Sequence, residues 1–422
     1  MRAVCRRSGQ TPDMSADLTL SRRGETFLLW ILAAVQFTHI VDFMVMMPLG
    51  PALTRLFGIS DARFGLLVSA YSLAAGVSGL VASTLIDRFE RKRALLFLYA
   101  GFALATLACG LAGSYESLMA ARVAAGTFGG VLGALVTTMV GDAIPYERRG
   151  RAMGVVMSAF SLSTVAGVPA SLFVASHWGW HWPFILIAAA ALPVWLVAWR
   201  VVPAMSTHLR AGDRSSGTAQ LWRVVRERNH WRAFGLSALL VSGSFSIIPY
   251  ITIYITANTG LLSEQVPLVY LAGGVATFFT ARLWGRLADR YGKVGVFRGI
   301  SLAAVVPMMI LTHLPAVPVA VVVLVTTAFF VFVSGRMVPG MAILTAAPEA
   351  SVRGAFMSIN GALQSAAMGL ASWLGGLLIS RAPDGRVLGY GACGWLALVT
   401  TVVMVWWVGQ LALHKSAEAA ST

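Results

Sequence analysis

The sequence predicts an all-α integral membrane protein with twelve transmembrane helices in two six-helix pseudo-repeats. Three observations predict it. Of the 422 residues, 57% are hydrophobic and 12% charged, about half the roughly 25% charge of soluble globular domains. The apolar residues gather in twelve runs of about the 20 residues that a bilayer-spanning helix needs. Two polar loop patterns recur at near-constant offsets of 202 and 204 residues.

The predicted spans are 25 to 48, 64 to 86, 94 to 112, 118 to 140, 152 to 174 and 184 to 202, then 233 to 256, 266 to 287, 295 to 313, 319 to 344, 355 to 379 and 390 to 411. Residues 1–24 are a polar, basic extension without the short apolar core and cleavage pattern of a signal peptide, so the first span serves as its own insertion signal. Pro48 and Pro51 end that span. After the second comes Asp87-Arg88, and before the fifth Pro145-Tyr146-Glu147-Arg148-Arg149-Gly150. Residues 25–202 form an N-terminal bundle, 203–232 a cytoplasmic linker, 233–411 a C-terminal bundle and 412–422 a cytoplasmic tail. Within the linker, Leu221 to Arg232 mixes Trp and Val with Arg at near-helical spacing. That pattern suits either a short helix on the anionic leaflet or an extension of the seventh span.

The repeat punctuates the second half in the same places. Asp289-Arg290 follows the eighth span, and Pro348 to Gly354 precedes the eleventh. Duplicated six-span halves related by an axis along the membrane normal are a transporter architecture.

The net charge of +15 would point to nucleic acid in a soluble protein. Here its distribution points elsewhere. Of the 32 Lys and Arg, 25 fall in the odd-side loops and tails, and Arg55, Arg63, Arg381 and Arg386 fall on the opposite side. By the positive-inside rule both termini are cytoplasmic, which for a bacterial chain means a multi-pass protein of the inner, or plasma, membrane. The three cysteines are odd in number and two lie in apolar runs, so neither a disulfide framework nor a metal site is indicated. No phosphate loop or Ser/His/Asp set appears, so no enzyme activity and no cofactor are expected.

Three basic residues, Arg122, Arg282 and Arg336, fall inside spans, where an ionisable group costs a few kcal/mol and is a functional candidate. Arg282 is placed to snorkel to the interface. The first span carries Gln36, Thr38, His39 and Asp42. His39 and Asp42, three apart, share a helix face. In a low-dielectric cavity a carboxylate is pushed toward its neutral form and a neighbouring cation pulls it back, so a group feeling both exchanges protons near neutral pH. The alternative is that Asp42 is solvated near the outer interface. Arg122 has Asp42 or Glu116 as candidate partners, and Gly126, Gly129, Gly130 and Gly133 after it permit close helix approach. Gly167 and Pro169 would bend or loosen the fifth span. Asp87 and Asp289 sit at helix C-termini, where the macrodipole disfavours a carboxylate, and Arg88, Arg91 and Arg290 can compensate them.

Ser83 to Lys92, and more closely Gly285 to Lys293, resemble the signature loop of the major facilitator superfamily, Gly-x-Leu-Ala-Asp-Arg-x-Gly-Arg-Lys. Ser83 and Glu90 stand where glycines are usual, which puts the first copy's tight turn in question. Arg122 to Gly130 resembles the Arg-x-x-x-Gly-x-x-x-Gly pattern of proton-coupled members. Ala166-Gly167-Val168-Pro169-Ala170 is similar to the Gly-Val-Pro antiporter motif of the drug and sugar efflux branch. The resemblance implies that the loops latch the cytoplasmic side, Asp87 against the helix beginning near Gly354, and that Gly167 and Pro169 act as a hinge or seal. It also implies that Arg122 responds to the proton load. Substrate would then meet helices lining a central cavity, where Gln36, Tyr250, Tyr254, Arg336, Asn360 and Gln364 are the candidates. Arg336 is the sharpest of these, with an anionic ligand, water or Asp42 as its possible partner. The expectation is a monomeric exporter of a small organic molecule in exchange for protons, with the lipid bilayer as its surroundings and no nucleic-acid partner. An uptake symporter or facilitator of the same fold is the alternative.

Overall fold

The computed structural model describes residues 22–206, 217–349 and 352–413. Most of the predicted extension, the middle of the linker and most of the tail lie outside them. Twelve long helices stand over the twelve predicted spans. In the first half they are α1 (Arg22–Val45), α2 (Asp61–Leu85), α3 (Arg91–Gly110), α4 (Tyr115–Ala143), α5 (Arg148–Trp178) and α6 (Trp182–Val201). In the second they are α7 (Arg228–Asn258), α8 (Ser263–Tyr291), α9 (Lys293–Thr312), α10 (Val319–Ala346), α11 (Arg353–Leu378) and α12 (Tyr390–Gln410). Among the described residues eleven of these are long and apolar enough to cross a membrane. The exception is α11. Its length of 26 residues suffices, but Ser358, Asn360, Gln364, Ser365 and five glycines lower its hydropathy, as suits a helix that faces a polar interior.

Short polar residues start the helices where sequence logic places them. Ser60 caps α2 by accepting from the Arg63 amide, and Ser114 and Ser117 form a reciprocal capping box at α4. The linker segment follows neither simple expectation. Gly217–Arg226 is a separate helix, the chain turns at Glu227 with ψ 119°, and 228–232 form the first turn of α7. The break is held by side chains that reach back across it, His230 Nδ1 to Val224 O and Trp231 Nε1 to Val225 O.

Successive helices run antiparallel, so one end of the bundle carries Arg22, residues 86–93, 141–151 and 286–298. We call it the basic end and the other the far end. At the far end one core serves both halves: Met46, Leu53, Phe64 and Leu172 pack together with Ile247, Tyr250, Val266 and Phe329. At the basic end there are two separate cores. Leu28, Leu32, Tyr99, Leu135 and Met139 belong to the first half, and Phe234, Leu240, Phe297, Leu344 and Phe356 to the second. The halves are thus joined at the far end and parted at the basic end.

Two seams join them. Along α2 and α11, Ser69 Oγ donates to Gly369 O, and Gly76 lies against Ala362 O with no room for a Cβ. Along α5 and α8, Gly274 lies against the Thr164 carbonyl. An ion pair closes the far end: Arg381 holds Asp61 through both carboxylate oxygens, at 3.0 and 2.9 Å. Arg381 sits on a two-stranded hairpin, Ser380–Arg381 with Val387–Leu388. Asn258 at the end of α7 grips that hairpin through both polar groups of Val387.

Between the parted halves lies a cavity of about 550 Å³, walled by α2 and α4 on one side and α11 on the other. A larger groove, about 1190 Å³, runs over the outer faces of α2, α3 and α4. It holds none of the candidate side chains, and its exposed Val77, Phe97 and Val123 match the lipid-facing surface of spanning helices.

Candidate functional site

The mid-span ionisable residues of the first half come together. Arg122 Nη1 donates to Asp42 Oδ2 at 2.9 Å, and neither side chain has any exposed surface. Asp42 is therefore not solvated at an interface, and Glu116, the other possible partner, is exposed at the far end. The Arg122 guanidinium also lies 4.3 Å from the centre of the Tyr71 ring, a cation-π contact in a desolvated setting. Glycines make this possible. Cβ atoms at Gly126 and Gly130 would enter the α2 backbone at Tyr71 and Ala75, and one at Gly129 would meet the His39 ring at 2.9 and 3.0 Å. The glycine run after Arg122 presses α4 onto α2 and leaves a slot for His39.

The cluster is only partly satisfied. Asp42 Oδ1, Arg122 Nε and Nη2, Tyr71 Oη, Thr106 Oγ1, His39 Nδ1 and Gln36 Oε1 are buried without a hydrogen-bond partner among the described residues. Buried polar atoms are normally paired, so this concentration of orphans makes the cluster the candidate site. The pair itself is sealed, while His39 and Gln36, one and two turns back along α1, are half-buried. Thr38 faces away and bonds Tyr99 Oη at 3.0 Å.

The fifth span meets this helix from the other side. Ser163–Gly167 is a π-helical turn, a local widening frequent at functional positions. Gly167 there packs on Val41 and Phe37 of α1, Ser163 Oγ donates to Phe37 O at 3.3 Å, and Pro169 follows buried. The π turn thus touches α1 next to Asp42 and, through Thr164, touches α8 of the other half.

The second half arranges its candidates differently. Arg336 is 1% exposed and has no carboxylate partner among the described residues. Its donors go to Ser244 Oγ at 2.7 Å, Leu240 O at 3.2 Å and Thr401 Oγ1 at 3.2 Å, so α7 and α12 hold it inside the half. Asp42 is not its partner. Tyr250 donates to Ser372 O and fits against Gly65 of α2, and Tyr254 donates to Leu314 O at 3.1 Å. Both tyrosines lie in the far-end core and line no described cavity. Gln364 lines the cavity between the halves. Asn360, one turn away, is 1% exposed with Oδ1 unpartnered.

At the basic end Arg91 is buried, bonding Asp142 Oδ2 at 3.0 Å and Ile86 O at 3.3 Å. Arg88 ends a short 3-10 turn, Ile86–Arg88, and the Asp87 side chain is outside the described set. Asp289 is exposed and forms no ion pair among the described residues, and Arg290 stacks 5.3 Å from the Tyr291 ring. The two loop copies turn by different means. Gly292 does so with φ +88°. Glu90 keeps φ −63° and caps α3 with both carboxylate oxygens, at 2.9 Å to the Lys92 amide and 3.0 Å to that of Arg93. Ser83 and Ile86 line the cavity from α2 and its following turn, and Gly354 and Ser358 line it from the start of α11. Tyr71, Thr106, Asp61 and Arg381 are members that sequence reasoning missed. The i,i+4 spacing of Gly126 and Gly130 is the available signal that another helix packs closely on α4.

Two pseudo-repeated six-helix bundles, closed at one end and parted at the other around a cavity, define a membrane transporter rather than an enzyme. The chain belongs to the Major Facilitator Superfamily, whose profile matches residues 32–335. It is 26% identical over 373 residues to YceJ, an uncharacterized MFS-type transporter of Bacillus subtilis, covering 86% of this chain and 92% of that one. It is 27% identical over 277 residues to a chloramphenicol efflux pump of Mycobacterium tuberculosis, covering 64% and 65%, and 25% identical over 236 residues to a probable sugar efflux transporter of Helicobacter pylori, covering 56% and 59%. Its fold is similar to the inward-open xylose transporter XylE of E. coli, with TM-score 0.73 at 15% identity over 93% of this chain and 98% of that one.

Proposed function

We propose that this protein is a proton-driven exporter of a small organic molecule, working as a monomer in the bacterial inner membrane with both termini in the cytoplasm. The observation that carries the reading is the fully buried Asp42–Arg122 pair, surrounded by orphaned polar atoms. Efflux as the direction is supported by the similarity to chloramphenicol and sugar efflux proteins.

The basic end is then the cytoplasmic face, and the conformation is open to the cytoplasm. When the alternate conformation opens the far end, a proton entering there neutralises Asp42 and releases Arg122, whose charge must find the unpaired acceptors around it. The two helices α1 and α4 then lose the attraction that holds them in register. Val41 fills the space left by the missing Cβ of Gly167, so a shift of α1 passes to the π turn and through Thr164 to Gly274 on the α5–α8 seam. That seam and the α2–α11 seam both join the halves, so a change at either re-sets the rocking equilibrium between open ends.

Transport into inside-out vesicles with an acidified lumen tests the direction. Accumulation of substrate is expected. Expulsion would establish the uptake symporter, and indifference to the gradient would remove proton coupling altogether. In the same vesicles Asp42→Asn should abolish accumulation while leaving membrane insertion intact, and undiminished transport would take Asp42 out of the mechanism.

A further inference from the structure

We infer that the cavity between the halves takes an uncharged solute bearing hydroxyl or amide groups, and that Gln364 sets this charge selectivity. The inference rests on the export reading and adds the class of cargo. Among the described residues, every polar side chain that lines the cavity is neutral: Ser83, Thr138, Ser358, Gln364 and Ser365. The rest of its described wall is Gly, Ala, Val, Leu, Ile and Met. Its volume, about 550 Å³, lies within the usual range for small-molecule sites.

The charges that a charged cargo would need are committed elsewhere. Asp42 is sealed behind α4 and bound to Arg122. Arg336 spends its terminal donors on α7 and α12. Arg282 is exposed on α8 beside the Phe278 ring. A cation or anion entering the cavity would give up hydration without meeting a counter-charge, and an uncompensated buried ion is strongly disfavoured. A neutral hydroxylated solute instead exchanges its bonds to water for bonds to serine, threonine and the Gln364 amide, at small net cost. Gln364 is the longest polar group on the wall and offers both donors and an acceptor. Exchange of a neutral solute for a proton also moves net charge, so transport should follow the membrane potential as well as the pH gradient.

The test uses the purified full chain in proteoliposomes with four probes: chloramphenicol and arabinose as neutral solutes, ethidium as a cation and carboxyfluorescein as an anion. Wild type should move a neutral probe and neither ion. Gln364→Glu should gain ethidium transport and lose the neutral probe, shifting their ratio by on the order of tenfold or more, while Gln364→Asn keeps the wild-type preference. Ethidium or carboxyfluorescein transport by wild type overturns the inference, as does failure to move either neutral probe. Absence of any ethidium gain in Gln364→Glu removes Gln364 from selectivity. Neutral transport that ignores the pH gradient would defeat proton coupling and leave the charge inference standing, and gradient-driven ethidium transport by wild type would do the reverse.

Discussion

Each half of the molecule buries one mid-span arginine, and the two are kept by opposite means. In the first half Arg122 has a carboxylate at 2.9 Å, an aromatic face at 4.3 Å and several orphaned atoms nearby. In the second half Arg336 has three neutral oxygens, from Leu240, Ser244 and Thr401, and only Nε left over. A guanidinium cannot lose its proton under any physiological condition. Arg336 therefore has one state, whereas on the proposed function Arg122 has two, set by whether Asp42 carries a proton. On that proposal, switching belongs to the first half and the second is a scaffold against which it moves.

Replacing each arginine by methionine should give the largest separation between the halves. Arg122→Met strands the Asp42 carboxylate, and breaking a buried pair from one side costs about 3–5 kcal/mol. That variant should unfold at clearly lower temperature in detergent and lose gradient-driven transport. Arg336→Met removes a buried cation that has no counter-charge, so its stability should stay within about 1 kcal/mol of wild type or rise. Thermal unfolding of both purified variants decides the matter. If Arg336→Met proved the more damaging, the second half would hold a working charge and the contrast would collapse.

The far-end clasp offers a smaller effect that bears on both halves. Asp61 is nearly buried at 3% side-chain exposure and Arg381 is 42% exposed, so solvent screens part of their attraction and about 1–2 kcal/mol is a fair expectation for a bidentate pair. Arg381→Ala should shift the population toward separation at the far end. Spin labels on Arg55 and Glu264, exposed on opposite halves, would report it as a longer distance component. An unchanged distribution would mean that the shared apolar core alone holds that end closed.

The elements legible in the sequence are those that depend on local pattern. Twelve apolar runs become twelve long helices, and the family follows from the loop and glycine-proline motifs. Asp42 stands out because a carboxylate in mid-span is costly wherever the helix packs, and Arg122 for the same reason. What tertiary packing decides is not legible. Tyr250 and Tyr254 share a helix face as predicted, yet that face meets glycines of α2 and α11 and the carbonyl of Leu314 rather than a cavity. Arg381 reads as an ordinary outer-loop charge, because its partner Asp61 lies 320 residues away. The Leu221 to Arg232 pattern is helical on both sides of Glu227, and only side-chain bonds reaching back across the turn reveal the break.

The two loop copies give the finest version of the same contrast, with an expected effect of about 1 kcal/mol. Glu90 turns the chain by capping and also accepts from the Met205 amide at 2.8 Å, tying the loop to the end of α6. Gly292 turns it with φ +88°, a region in which a side chain on an L-residue is strained. Glu90→Gly should therefore cost only a few tenths of a kcal/mol as a cap, plus the loss of the Met205 contact. Gly292→Glu forces a side chain into the left-handed region at about 1 kcal/mol or more. Unfolding of the two single variants against wild type measures both. An equal loss at the two positions would show that the loops are bound by contacts other than their turns, and that the duplicated motif has kept one geometry after all.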